Sequence, residues 1–267
     1  FLIFTFIPIL FSFVLAFSEW DSFSPIKFVG LQNFIKLFSD ETFIISLTNT
    51  VKYTIFVVPL TMICALGLAL LLNKKIKGIA IFRTLFFFPY ITSLVAVAVV
   101  WNMLFHPSMG PINQFLGLLL NNLPGWTSSS QWALYAIIIV SVWRYMGYYM
   151  ILYLAGLQSI PRELYEAASM DGAGKWKQFW NVTLPSLRPT TFFVMIMLTI
   201  NSFKVFDLVQ VMTEGGPGRS TNVLVYQIYN EAFVNFKFGY ASAISMILFI
   251  IVLAITIIQI RVENKKG

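Results

Sequence analysis

The chain's 267 residues are 58% hydrophobic and only 11% charged, whereas a water-soluble domain carries about 25% charged residues. So little charge cannot cover a water-facing surface of this size, and lipid must face much of the molecule. The net charge of +7 does not argue for nucleic acid, because the basic residues cluster in short segments between apolar runs, as membrane topology requires. The single cysteine, Cys64, excludes an internal disulfide. The single histidine, His106, has no Cys, His or carboxylate neighbour at metal-ligand spacing, so no metal site is expected.

Apolar runs at residues 1–17, 47–72, 84–105, 132–157, 191–212 and 238–260 predict six transmembrane helices. Crossing about 30 Å of hydrocarbon takes about 20 apolar residues, and irregular backbone cannot face lipid with its amides and carbonyls unpaired. The runs do not alternate in polarity, which excludes a barrel of short strands. The expected class is an all-α integral membrane protein. The first run lacks the basic start and cleavage site of a signal peptide and reads as a membrane helix truncated at Phe1.

The connecting segments set the orientation. Lys74, Lys75, Lys77 and Arg83 follow the second span; Arg162, Lys175, Lys177 and Arg188 follow the fourth; Arg261, Lys265 and Lys266 follow the sixth. The opposite loops hold only Lys27, Lys36, Arg219 and Lys237, and the loop from His106 to Gln131 holds no basic residue. The positive-inside rule therefore makes the first group cytoplasmic, with both termini inside. In the external loop 18–43, Phe28, Leu31, Phe34 and Leu37 are spaced for a short helix on the membrane surface or against the bundle. Trp20, Trp101, Trp126 and Trp132 are placed as an interfacial belt.

Charged residues within spans are functional candidates. Lys52 lies near the external end of span two, where it can snorkel to the interface. Arg144 lies in span four among Trp143, Tyr145, Tyr148 and Tyr149; Lys204 and Asp207 lie in span five at i, i+3, with Asn201 and Gln210 near the same stripe. One reading is a polar path, with aromatic faces for sugar rings and hydroxyl-bonding groups, in which Arg144 could bind an anionic substrate group. The other makes Lys204–Asp207 a structural ion pair and the tyrosines packing residues.

The cytoplasmic loop 159–190 reads as helix, turn and second helix. Pro161 suits a first helical turn, and Glu163 and Glu166 lie toward the positive end of the helix dipole. Leu164, Ala167 and Ala168 share a face, Gly172 after Asp171 offers a left-handed stop, and Pro185 and Pro189 break the chain before span five. Two alanines make a narrow face that can sit in a groove of another protein, with Glu166 beside it to pair with a basic residue. A solvated connector is the alternative.

Glu166-Ala167-Ala168, Asp171-Gly172-Ala173, Phe179 and Leu184-Pro185 resemble the EAA loop of permease subunits of binding-protein-dependent ABC importers, with Val182 standing where the family has isoleucine. Residues 28–34, Asn49-Thr50, Phe206-Asp207, residues 213–217, Ser220-Thr221 and residues 238–243 are similar to the carbohydrate branch of that family, which includes maltose-type and glycerol-phosphate permeases. The resemblance implies a type I (MetI-like) six-span bundle. The first span and its external loop would occupy 1–43, and the permease domain 44–267. It implies that residues 159–190 carry the coupling helix docking on an ATPase subunit, through Glu163, Glu166, Ala167, Ala168, Asp171 and Gly172. The substrate-pathway candidates are Arg144, Tyr145, Tyr149, Asn201, Lys204 and Asp207. Implied partners are a second homologous permease, two ATP-binding subunits and an extracytoplasmic solute-binding protein, in a bacterial or archaeal inner membrane.

The chain itself lacks the ATP-binding signature G-x-x-x-x-G-K-[ST]. Around Gly172-Ala173-Gly174-Lys175, Ser169 stands at the first glycine position and Trp176 follows the lysine. ATP and Mg would be held by the partner subunits, with no catalytic residue here. The glycines of residues 215–218 suit a tight turn at the bundle mouth. An ion-coupled secondary transporter would need matching halves and midplane carboxylates; only Asp207 qualifies. A membrane enzyme would need a catalytic set that is not readable.

Overall fold

The computed structural model describes residues 2–74 and 78–265. The predicted cytoplasmic residues Lys75, Lys77 and Lys266, and the start at Phe1, lie outside them. Helices run in the order α1 (Leu2–Ala16), α2 (Gln32–Ser39), α3 (Glu41–Leu72), α4 (Ile79–Ile91), α5 (Leu94–Leu104), α6 (Pro111–Leu116), α7 (Ala133–Gln158), α8 (Arg162–Met170), α9 (Lys175–Ser186), α10 (Arg188–Phe203), α11 (Asp207–Met212), α12 (Leu224–Tyr229) and α13 (Phe238–Asn264). The strands β1 (Ser18–Glu19) and β2 (Lys27–Phe28) pair antiparallel, Ser18 opposite Phe28.

Among the described residues, α3, α7 and α13 are each long and apolar enough to cross a membrane. Two further candidates are bent pairs, α4 with α5 and α9 with α10, and α1 is a shorter apolar helix. All six predicted spans are thus recovered as helical segments, but two are not continuous. Span three breaks at Thr92–Ser93. Pro89 cannot donate to the preceding turn, Thr92 is extended (ψ 149°), and its Oγ1 donates to the Phe88 carbonyl at 2.8 Å. Span five breaks at residues 204–206, where Phe206 takes a non-helical φ of −144°. Asp207 then restarts the chain as α11, its carboxylate at the positive end of the new helix. At the entry to span five, α9 and α10 meet at a bend of 64°.

The chain divides into two compact units. The first contains residues 2–54, 94–137 and 200–265. In it α1 packs along α13, and a core of Ala16, Leu37, Phe43, Leu224, Tyr240, Ala243 and Ile244 closes around α2. Asn33 Nδ2 donates to the carbonyls of Ala16 (3.0 Å) and Ser18 (2.9 Å), fastening α2 to the end of α1. Of the four residues expected on the α2 face, Leu37 is buried and Phe34 packs on Phe17 at 5.2 Å. Phe28 and Leu31 precede the helix and are exposed. Trp126, expected in the interfacial belt, is buried instead, stacked on Phe105 at 4.6 Å.

The second unit contains residues 55–74, 78–93 and 138–199. Ala65 and Ala69, one turn apart on α3, face Tyr149, Met150, Tyr153 and Leu157 of α7 and Leu187, Val194 and Leu198 around α10. Small residues of this kind let membrane helices approach closely where no hydrophobic drive favours association. Gly147 on α7 is the extreme case: a Cβ there would lie 1.7 Å from the Phe86 carbonyl oxygen. The backbones of α4 and α7 therefore touch at a point only glycine allows.

Candidate functional site

Within loop 159–190 the expected helix forms as α8, with Pro161 one residue earlier than expected, at the N-cap. Its C-terminal closure is complete. Gly172 is left-handed at φ +74°, the Ala173 amide donates to the Ala168 carbonyl (2.9 Å), and the Gly172 amide donates to the Ser169 carbonyl (3.0 Å). This pair of bonds is the Schellman closure, which spends the helix's orphan carbonyls. Tyr165 and Thr183 share a hydroxyl–hydroxyl bond of 2.9 Å. Gln178 Nε2 donates to Ser169 Oγ (2.8 Å) and to the Ala173 carbonyl (3.1 Å). Four side chains, Tyr165, Ser169, Gln178 and Thr183, thus clamp α8 to α9.

The rest of α8 is presented outward. Glu163, Glu166, Ala167 and Asp171 are exposed, while Ala168 and Tyr165 are half-buried on the clamped side. The expected face of Leu164, Ala167 and Ala168 is therefore divided. Leu164 and Ala167 look out, joined by Met170 at 84% and Trp176 at 72% exposure. This helix therefore exposes apolar and acidic side chains together.

The second candidate group assembles around Arg144 in the second unit. Because α4 ends at Ile91, the Tyr90 carbonyl has no helical amide to accept from. Arg144 Nη2 donates to it at 3.2 Å, placing a cation at the negative end of α4. The guanidinium also lies 5.4 Å from the Tyr90 ring and 5.5 Å from the Tyr145 ring, contacts worth about 0.5–2 kcal/mol each depending on solvation. Tyr90 stacks on Tyr148 at 4.4 Å, and Tyr148 meets Tyr149 edge-on at 5.0 Å. Arg144 Nε is buried with no hydrogen-bond partner. Arg144 and Tyr145 are thus in contact, while Tyr149 is reached through Tyr148 and is buried in the packing core. Tyr90 is the member the sequence did not announce, since its role depends on where α4 stops.

Asn201, Lys204 and Asp207 lie in the first unit. The break at residues 204–206 removes the i, i+3 relation expected for Lys204 and Asp207; both are exposed at the break, and Asn201 precedes it in α10. Beside them, Gln210 Oε1 in α11 is buried without a partner, as are Asn222 Oδ1 and both side-chain polar atoms of Gln227. Buried polar atoms left unpaired cost stability, so each is a place where water or a hydroxylated ligand is favoured.

The paired motif Asn49-Thr50 also finds its physical reason in the first unit. Asn49 Nδ2 donates to the carbonyls of Arg219 (3.1 Å) and Asn222 (3.0 Å), and Thr50 Oγ1 accepts from the Leu224 amide (2.9 Å). Thr213 and Thr221 hydroxyls meet at 2.7 Å, and Arg219 reaches Glu41 at 3.3 Å. The glycine-containing segment 213–222 is therefore a fixed turn tied to the start of α3. A cavity of about 500 Å³ beside α2 is lined by Glu19, Trp20, Lys27, Lys36 and Tyr240 among others. At its rim the Ser24 and Phe23 amides donate to Asp21 and hold its carboxyl below the usual range.

The family described as "Binding-protein-dependent transport system inner membrane component" matches residues 57–266. The chain is 38% identical over 266 residues to "Probable ABC transporter permease protein YurN" of Bacillus subtilis (strain 168), covering 98% of this chain and 91% of that protein. It is 36% identical to the sn-glycerol-3-phosphate transport system permease protein UgpA of Yersinia enterocolitica, covering 90% and 81%. A chain of a bacterial ABC transporter involved in import of the acidic polysaccharide alginate superposes with a TM-score of 0.84 at 24% identity, covering 99% of this chain and 91% of that one. The protein is a member of the family of inner-membrane permease components of binding-protein-dependent ABC transporters.

Proposed function

We propose that this permease subunit carries a sugar or oligosaccharide into a bacterial or archaeal cell by alternating access. The work is supplied by two partner subunits that bind ATP and Mg, and the cargo by an extracytoplasmic binding protein. A second, homologous permease completes the pathway. The observation that carries this reading is α8: an exposed helix closed by Gly172 and locked by Tyr165 and Gln178 to α9, which leads into span five, passes a push from a docked ATPase toward the bundle. Glu163, Glu166, Ala167, Ala168, Asp171 and Gly172 form or shape that contact. The termini and α8 lie on the cytoplasmic side, in keeping with the distribution of basic residues.

The pathway candidates are two separate groups, each taken by itself: Arg144, Tyr145 and Tyr149 within the second unit, and Asn201, Lys204 and Asp207 within the first. Aromatic faces suit sugar rings, and the unpaired Gln210 Oε1 and Gln227 amide suit hydroxyls. A second reading, transport of an anionic solute such as a glycerol phosphate, draws on the free Nε–H of Arg144 and on the similarity to UgpA. The test is uptake by the whole complex in proteoliposomes with the ion gradient collapsed by ionophores. Uptake that needs ATP and survives the ionophores is expected; uptake that stops with the gradient overturns the reading. Arg144→Gln separates the substrate classes. It should weaken uptake of a phosphorylated or carboxylated solute by roughly tenfold, about the worth of one charge-assisted hydrogen bond, and leave a neutral sugar nearly unaffected.

A further inference from the structure

Residues 107–131 contain no Asp, Glu, Lys or Arg, yet they fold into a defined cap. Asn113 is buried at its centre. Its Nδ2 donates to the carbonyls of Pro107 and Pro124, both at 3.1 Å, and its Oδ1 accepts from the Trp126 indole at 2.7 Å. Trp126 stacks on Phe105, the residue following α5, and meets Trp132, just before α7, at 5.9 Å. The polar groups of Asn113 and Trp126 are thus consumed inward, and the cap is tied to both flanking spans, while Gln114 stays exposed.

Its outward face is the reverse. Met109, Phe115, Leu118 (78%), Leu119 (73%), Leu120 and Leu123 are exposed large apolar side chains. Beneath them the Gly117 amide donates to Asn113, Leu118 to Phe115, and Leu119 and Leu120 to Leu116, at 2.8 to 3.2 Å, while the amides of residues 121–123 and the carbonyls of 117–123 make no backbone bond. Those open groups need polar partners, which the headgroup boundary supplies and the hydrocarbon centre does not. Asn121 and Asn122, between Leu120 and Leu123, are also exposed.

We propose that the 109–123 tip is seated in the acyl-headgroup boundary of the bilayer, as a membrane-inserted wedge beside α5 and α7. Both flanks of the cap are spans, so the membrane is continuous with it. A soluble protein that must bind and release presents an interface no more apolar than ordinary surface, with a polar rim, which a charge-free cap does not complement.

The test places a single cysteine at Leu119, and separately at Phe115 one turn earlier, in a Cys64→Ser background. Each is labelled with an environment-sensitive fluorophore, and the full transporter is reconstituted in phosphatidylethanolamine–phosphatidylglycerol vesicles. Lipids carrying a nitroxide at shallow acyl carbons should quench both labels about twofold or more, with iodide excluded, for a depth of roughly 5–10 Å. Access to iodide without lipid quenching overturns the proposal. So does shielding that appears only when the binding protein is added, or that requires the second permease, since the cap would then be a protein-docking surface.

Discussion

Gly147 shows how one missing side chain organises a site. The Phe86 carbonyl would lie 1.7 Å from a Cβ at this position, so the helices meet backbone to backbone. One turn further along α4, Tyr90 comes level with Arg144 and Tyr148. Gly147→Ala must push α4 outward, and overpacking of this kind costs about 1–3 kcal/mol or more. The expected outcome is a lower thermal unfolding midpoint of the detergent-purified complex together with reduced uptake. An unchanged midpoint would mean that α4 and α7 are not held at this distance. Arg144 itself was legible as an anomaly, a cation in an apolar run, but not its partner. The Tyr90 carbonyl becomes available only because Pro89 and Thr92 end α4.

Among the elements, α8 was readable almost to the residue. Its acidic first turn and following glycine each report a local rule, whereas the expected small-residue face is divided by the clamp onto α9. Gly172 at φ +74° is the point of greatest leverage. Gly172→Val faces a left-handed penalty of about 1–2 kcal/mol, opening the Schellman closure and loosening α8 from α9. The expected outcome is uncoupling: ATP hydrolysis continues while uptake falls roughly tenfold, the equivalent of about 1.4 kcal/mol. Gly172→Asn, which tolerates the left-handed region better, should restore most of it. If Val behaves like Asn, the closure is not what transmits force. The discontinuity of span five was not legible. Apolar periodicity runs straight through Val205 and Phe206, and the only local sign was Asp207, which reads as a buried charge until the restart of α11 explains it.

Across the whole chain, the orientation rests on the basic residues. Lys27 in loop 18–43 and Lys175 after α8 are both exposed and are assigned to opposite sides. In the Cys64→Ser background, Lys27→Cys should react with an impermeant maleimide from outside intact cells, and Lys175→Cys only in inverted vesicles. Reaction of both from the same side would overturn the assigned topology.

The sequence by itself determined the solvent, the six apolar segments, the sidedness expectation and the helix α8, because each follows from composition, span length or spacing within one turn. Tertiary structure alone decided where spans three and five break, which residues bury Trp126, and why Asn49-Thr50 and Asn113 matter. Those outcomes depend on backbone groups far apart in sequence finding partners in a medium that supplies none, and no local pattern encodes the address of a distant carbonyl.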